Sequence, residues 1–165
     1  MKIRRWIWIL FWTALVFGCS SSSLSLQPTV NLKIASAGSL STGQSLAGAA
    51  MTLILPSGVT PAMDSSGQVN TSRLVTASGV AAAGGLAVSA VYIEAAGAQP
   101  ARLSVVVAGK ARDGFGTGEF MIITLNRGIL TSPRASDFGI YEFAAADLDG
   151  KAVVGLQASI TDISY

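Results

Sequence analysis

Histidine is absent from this chain of 165 residues, and cysteine occurs once, as Cys19. Without imidazole the commonest general base is missing, along with Ser-His-Asp and Cys-His arrangements and every histidine metal ligand. A lone cysteine forms no intrachain disulfide, so a folded domain must be held by its apolar core. Charge is scarce as well, at 12% of residues, and all three tryptophans (Trp6, Trp8 and Trp12) lie before Thr13. What the chain has in quantity is small and aliphatic residues, with 50% hydrophobic positions and 18 glycines.

The apolar residues are densest at the start. Lys2, Arg4 and Arg5 precede the run Trp6 to Gly18 (WIWILFWTALVFG), and Cys19 and Ser20 to Ser23 follow it. Thirteen residues rise only about 20 Å as a helix, too little for a hydrocarbon core of about 30 Å. A basic stub, a short apolar run and a small residue before the cut are the parts of a secretory signal. Val16-Phe17-Gly18-Cys19 resembles the lipobox of bacterial lipoproteins, with Val16 in place of the usual leucine and a bulky Phe17. The resemblance implies cleavage between Gly18 and Cys19, diacylation of the Cys19 sulfur and acylation of its nitrogen. Acyl chains on Cys19 would hold the protein persistently on a membrane, since each buried CH₂ contributes about 0.8 kcal/mol. Ser20 then implies an outer-membrane lipoprotein, on the periplasmic face or the cell surface. An ordinary signal peptide or an uncleaved anchor is the alternative. The expected organisation is a signal peptide at 1–18, a Ser-rich tether at 19–28 and one domain at 29–165.

Removing the signal changes the charge balance. Three of the eleven basic residues leave with it, so eight remain against nine acids and the formal charge becomes −1. No basic stripe is left to neutralise phosphates, which excludes a nucleic-acid partner. The 147 residues from Cys19 onward suffice for one domain.

Beyond the tether, short runs of Val, Ile, Leu and Thr recur between Gly, Ser, Pro and Asp clusters, the pattern of strands joined by turns. Strands are expected near 30–35, 50–55, 73–77, 86–94, 102–108, 118–126, 138–144 and 152–161. Val30, Leu32 and Ile34 alternate cleanly, as do Val154, Leu156, Ala158 and Ile160. Phe120 to Leu125 is nearly continuous, as for a central strand covered on both sides. The stretch Gly79 to Gly85 is too short and glycine-rich for a helix and reads as a hairpin loop. About eight strands with little helix predict an all-β, antiparallel β-sandwich.

The order of features from Asn31 onward, with Leu53 to Val59, Ala87 to Glu94 and Gly116 to Leu125 as its markers, is similar to cohesin-like and carbohydrate-binding-module-like β-sandwiches. That resemblance implies a jelly-roll sandwich that binds another protein, such as a dockerin-like partner, or a polysaccharide. The function expected is a non-catalytic binding or scaffolding module with no cofactor. The alternatives are a carbohydrate-active or cell-wall hydrolase and a purely structural envelope lipoprotein.

Few residues carry candidate chemistry. A glycosidase needs two carboxyl groups about 5 to 9.5 Å apart, and Glu94, Glu119 and Glu142 are the glutamates available to meet across a sheet. Tyr92, Tyr141 and Tyr165 could stack on a sugar. Asp147-Leu148-Asp149-Gly150 invites calcium, but with Asp147 as position one, Ala152 falls where the loop needs glycine and Ala158 where it needs a bidentate acid. A hairpin turn is the plainer reading of this Asp-Gly pair, with a looser calcium site on Asp147 and Asp149 as the alternative. Gly114-Phe115-Gly116-Thr117-Gly118 precedes a strand rather than a helix, so it is no phosphate loop, and its glycines would let Phe115 cross a sandwich edge. Loops 56–71 and 126–136 are long enough to shape a surface. Arg127 and Arg134 in the second could meet an acidic partner or remain solvated.

Overall fold

A computed structural model describes residues 27–165. In chain order the strands are β1 (Thr29–Ala37), β2 (Leu46–Leu55), β3 (Val59–Thr60), β4 (Val75–Ala77), β5 (Leu86–Ile93), β6 (Ala101–Gly109), β7 (Gly118–Arg127), β8 (Gly139–Asp147), β9 (Ala152–Val153) and β10 (Gln157–Ser164). One helical turn, α1 (Thr71–Leu74), precedes β4. The first sheet has the order β10-β1-β7-β3, with β4 also on β7, and the second has the order β5-β6-β2-β8-β9. Every pairing is antiparallel. The chain therefore forms the expected all-β sandwich, with ten strands rather than eight because the two-residue β3 is added and the strand expected over 152–161 is split into β9 and β10.

Period-2 alternation builds the core. On β1, Val30, Leu32 and Ile34 are fully buried and stand opposite Leu125, Ile123 and Met121 of β7. The second sheet answers with Leu53 opposite Leu103 and Met51 opposite Val105, all buried. Successive side chains on a strand point to opposite faces, so one face of each sheet supplies this core.

Four local expectations change. The near-continuous run in β7 is not a strand covered on both sides: Phe120 and Met121 are buried together because a bulge sets Ile34 opposite Met121 and Ala35 opposite Glu119. The extra residue at Phe120 turns two neighbours inward, after which ordinary alternation resumes. The single strand expected over 152–161 is broken, because Gly155 takes a φ of +81° and sends β9 to one sheet and β10 to the other. Val154, expected on the apolar face, sits at this corner and is 86% exposed. Gly79 to Gly85 is not a hairpin loop but a crossover between sheets, since β4 pairs with β7 and β5 with β6. Arg73 and Leu74 belong to α1, whose start is capped by the Asn70 side chain accepting the Arg73 N–H at 3.3 Å, so the strand begins only at Val75.

These crossovers sort the loops into two ends. Thr29 pairs with Asn126, Val59 with Arg127, Ile54 with Gly139 and Ile93 with Arg102. The chain from the tether, the loops 56–58, 94–100 and 128–138, and the carboxyl terminus are thus together at one end. The turns 38–45, 110–117 and 147–151 are at the other.

Candidate functional site

Gly18 and Cys19, the expected cleavage and lipidation residues, lie outside the described residues, as does most of the tether. The described chain is already fastened at Pro28, whose carbonyl accepts the Arg127 backbone N–H at 2.8 Å.

The glutamates are not brought together. Glu94 follows β5 and Glu142 lies on β8, with β6 and β2 between them. Three strand spacings amount to about 14 Å, beyond the separation a glycosidase pair requires. Glu119 is in the other sheet. The tyrosines are scattered as well. Tyr92 is half-buried, and desolvation, then the charge of Glu94, raises its phenol above the usual range. Tyr141 is exposed on β8. Tyr165 donates its hydroxyl to the Pro133 carbonyl and lies under the Arg127 guanidinium, 5.0 Å from the ring centre. They form no common platform for a sugar ring.

Asp147 to Gly150 makes the hairpin turn between β8 and β9. One Asp147 carboxylate oxygen accepts the Asp149 and Lys151 backbone N–H groups at 3.1 and 2.9 Å, and the other accepts the Gln44 amide at 3.3 Å. The Lys151 bond leads the contacts that hold this carboxyl below its ordinary value of 3.8, against a smaller opposing desolvation. Those oxygens serve the turn. Among the described residues no three His, Cys, Asp or Glu side chains are placed to hold a metal ion.

Phe115 does cross the sandwich edge. Its backbone exchanges two hydrogen bonds with Leu46 of the second sheet, at 2.8 and 3.0 Å, before the chain enters β7 of the first. Its ring is buried and stacks on Phe120 at 5.7 Å. Arg127 is partly buried and held to its surroundings, donating to the carbonyls of Thr131 at 2.5 Å and Thr29 at 3.4 Å. Arg134 remains exposed.

What the fold assembles instead is the outer face of the second sheet, in four cross-strand rows. Ala87, Ala108, Gly48 and Ala146 form the first; Ser89, Val106, Ala50 and Ala144 the second; Val91, Ser104, Thr52 and Tyr141 the third; Ile93, Arg102, Ile54 and Gly139 the fourth. The Thr52 and Ser104 hydroxyls bond at 3.0 Å, which places them on one face. Val91 is 60% and Ile93 58% exposed. Arg102 is the one charge in these rows, and it donates to the Gln99 side chain at 2.8 Å. The small residues of the first two rows leave a shallow depression of about 510 Å³ bordered by Val106 and Leu148. Contiguous exposed apolar area of this kind marks an interaction surface. In the sequence this face is hard to tell from core, because its positions alternate with core positions and are themselves small or aliphatic.

Comparison with protein-family models, with curated proteins and with solved structures gives no match in any of the three.

Proposed function

We propose that this chain is a lipid-anchored, non-catalytic binding or scaffolding module of the cell envelope, held at the outer membrane through acyl chains on Cys19. The observation that carries the reading is the succession of Lys2, Arg4 and Arg5, thirteen apolar residues and Gly18-Cys19, a short tether away from the first strand at Thr29. The tether joins the end of the sandwich whose 128–138 loop presents Ile129 and Leu130 at 83% and 98% exposure, an apolar tip on the side that acyl chains would bring to the bilayer. The outer face of the second sheet then remains available to a partner. Its aliphatic rows and single charge suit a protein surface, as in the cohesin-like role, better than a sugar, which needs more polar contacts and stacked rings.

The test is Cys19→Ser in the full chain, with fractionation and intact mass of the product. The native chain should pellet with membranes and carry acyl mass on an amino-terminal Cys19, and the variant should move to the soluble fraction. A native product with an unmodified amino terminus, or a variant that still pellets, overturns the anchor. Retention on insoluble polysaccharide with no polypeptide captured would overturn the protein partner.

A further inference from the structure

A sheet edge presents unpaired backbone N–H and C=O groups, and folded proteins protect such edges with short strands, charges or bulges. Three of the four edges here are protected. β3 and β4 are two and three residues long; β9 is two and covers only Ala145 and Ala146, while the rest of β8 carries a bulge and the exposed Glu142. β10 carries a bulge opposite Lys33 and Ile34, and its Asp162 forms an ion pair with Lys33 at 3.3 Å. β5, which α1 and β4 approach without pairing to it, differs in length, charge and register. It runs eight residues, Leu86-Ala-Val-Ser-Ala-Val-Tyr-Ile93, with no charge and no proline. Its register on β6 is unbroken from Leu86 to Ile93, and it ends the second sheet. Among the described residues no backbone hydrogen bond leaves its free side.

We infer that β5 is the pairing edge for a second copy of this chain, joined antiparallel across a two-fold axis so that the second sheets of two molecules become one. The strand is complementary to itself about Ala90. In that register Ser89 meets the other copy's Val91, Ala87 meets its Ile93 and Val88 meets its Tyr92, so each large side chain faces a smaller one. Glu94 falls opposite Leu86, and no like charges meet. A two-fold contact needs this self-complementarity, because the same patch serves both partners. Strand addition supplies main-chain hydrogen bonds while the side chains set the register. The exposed Val91 and Ile93 gain cross-strand neighbours, and the apolar outer face continues from one copy into the next. This inference does not depend on the acyl anchor.

Ser89 and Val91 decide it, since both side chains point away from the core. The full chain in detergent should sediment as a dimer at micromolar concentration. The double substitution Ser89→Lys with Val91→Lys sets like charges opposite each other twice, and should raise the dissociation constant at least about tenfold while leaving the circular dichroism spectrum unchanged. Ser89→Glu with Val91→Lys sets opposite charges at the same two places and should restore the dimer. A native chain that stays monomeric, a dimer indifferent to the two lysines, or loss of the dimer in both double variants would overturn the inference.

Discussion

Gly114→Ala is the sharpest probe of how the two sheets are held at the Phe115 crossing. Gly114 has a φ of +66°, and a Cβ built there would lie 2.3 Å from the Leu46 carbonyl oxygen. That oxygen accepts the Phe115 N–H at 3.0 Å, while the Phe115 carbonyl accepts the Leu46 N–H at 2.8 Å. An alanine would incur about 1 kcal/mol for the left-handed backbone. It would also push apart two hydrogen bonds worth about 1 kcal/mol each, and disturb a buried ring stacked on Phe120. The expected loss is about 2 to 4 kcal/mol. Two other glycines separate the contributions. Gly97 has a φ of +57° with nothing within 4 Å of its Cβ position, so Gly97→Ala should lose only about 1 kcal/mol. Gly116 has neither a left-handed φ nor a close neighbour, and Gly116→Ala should be neutral or slightly stabilising. Equilibrium urea unfolding with a common slope reads all three. A Gly114→Ala variant no less stable than Gly97→Ala would refute the claim that close approach to Leu46 fastens this edge.

Glu142, exposed on β8, is the one non-glycine residue with positive φ, at +56°, among the described residues. It sits where Ala50 pairs with Ala144 but Thr52 with Tyr141, so the bulge there forces a conformation glycine adopts freely. Glu142→Gly should therefore stabilise the domain by about 0.5 to 1 kcal/mol and Glu142→Val should destabilise it by about as much, read as opposite shifts in melting temperature. Asp147 supplies a pH test. Its folded pKa is depressed below 3.8, so its stabilisation is present above that value and is lost as pH falls through the lower folded value. In Asp147→Asn, the decline of the urea midpoint between about pH 4 and pH 2 should be shallower than in the parent. Parallel declines would show that the turn does not use the charge.

Much of the fold was legible because burial and sequence period coincide. Val30, Leu32 and Ile34 alternate in the sequence and lie on the core face in space. The Asp147 to Gly150 turn was legible because a carboxylate and a glycine with positive φ are what a tight turn uses. Failures cluster where one residue changes the phase. The bulge at Phe120 buries two neighbours in succession, which looks like a doubly covered strand until the partner register is known. Gly155 breaks an alternation that runs unbroken from Val154 to Ile160 in the sequence, because a glycine inside a strand pattern marks either a kink or a weak strand. The bulge has no local signature, since it depends on which strand lies opposite, and the glycine has only an ambiguous one. Gly79 to Gly85 failed for a related reason: a short glycine-rich gap specifies a change of direction, not whether the next strand stays in the same sheet.

The candidate surface was harder to see than the core for a reason that bears on its function. Alternation identifies a buried face only when the other face is polar. Along Leu86 to Ile93 the outward positions are Ala87, Ser89, Val91 and Ile93, and the inward ones Leu86, Val88, Ala90 and Tyr92, so either set could be core by composition. The sheet order breaks the tie, by placing β5 at an edge with one set against the core and the other on the open side. A sheet that faces water on one side ordinarily shows polar residues there. The rows Ser89-Val106-Ala50-Ala144 and Val91-Ser104-Thr52-Tyr141 show none that is charged. With charge at only 12% of the chain, its absence from these rows follows in part from scarcity. Yet the edge strand β10 holds Asp162 against Lys33, so the chain does spend charge on an edge in one sheet and withholds it from β5 in the other. That contrast sets the open β5 edge, and the outer face whose rows hold Arg102 as their one charge, apart from the protected edges, in keeping with the pairing proposed for β5.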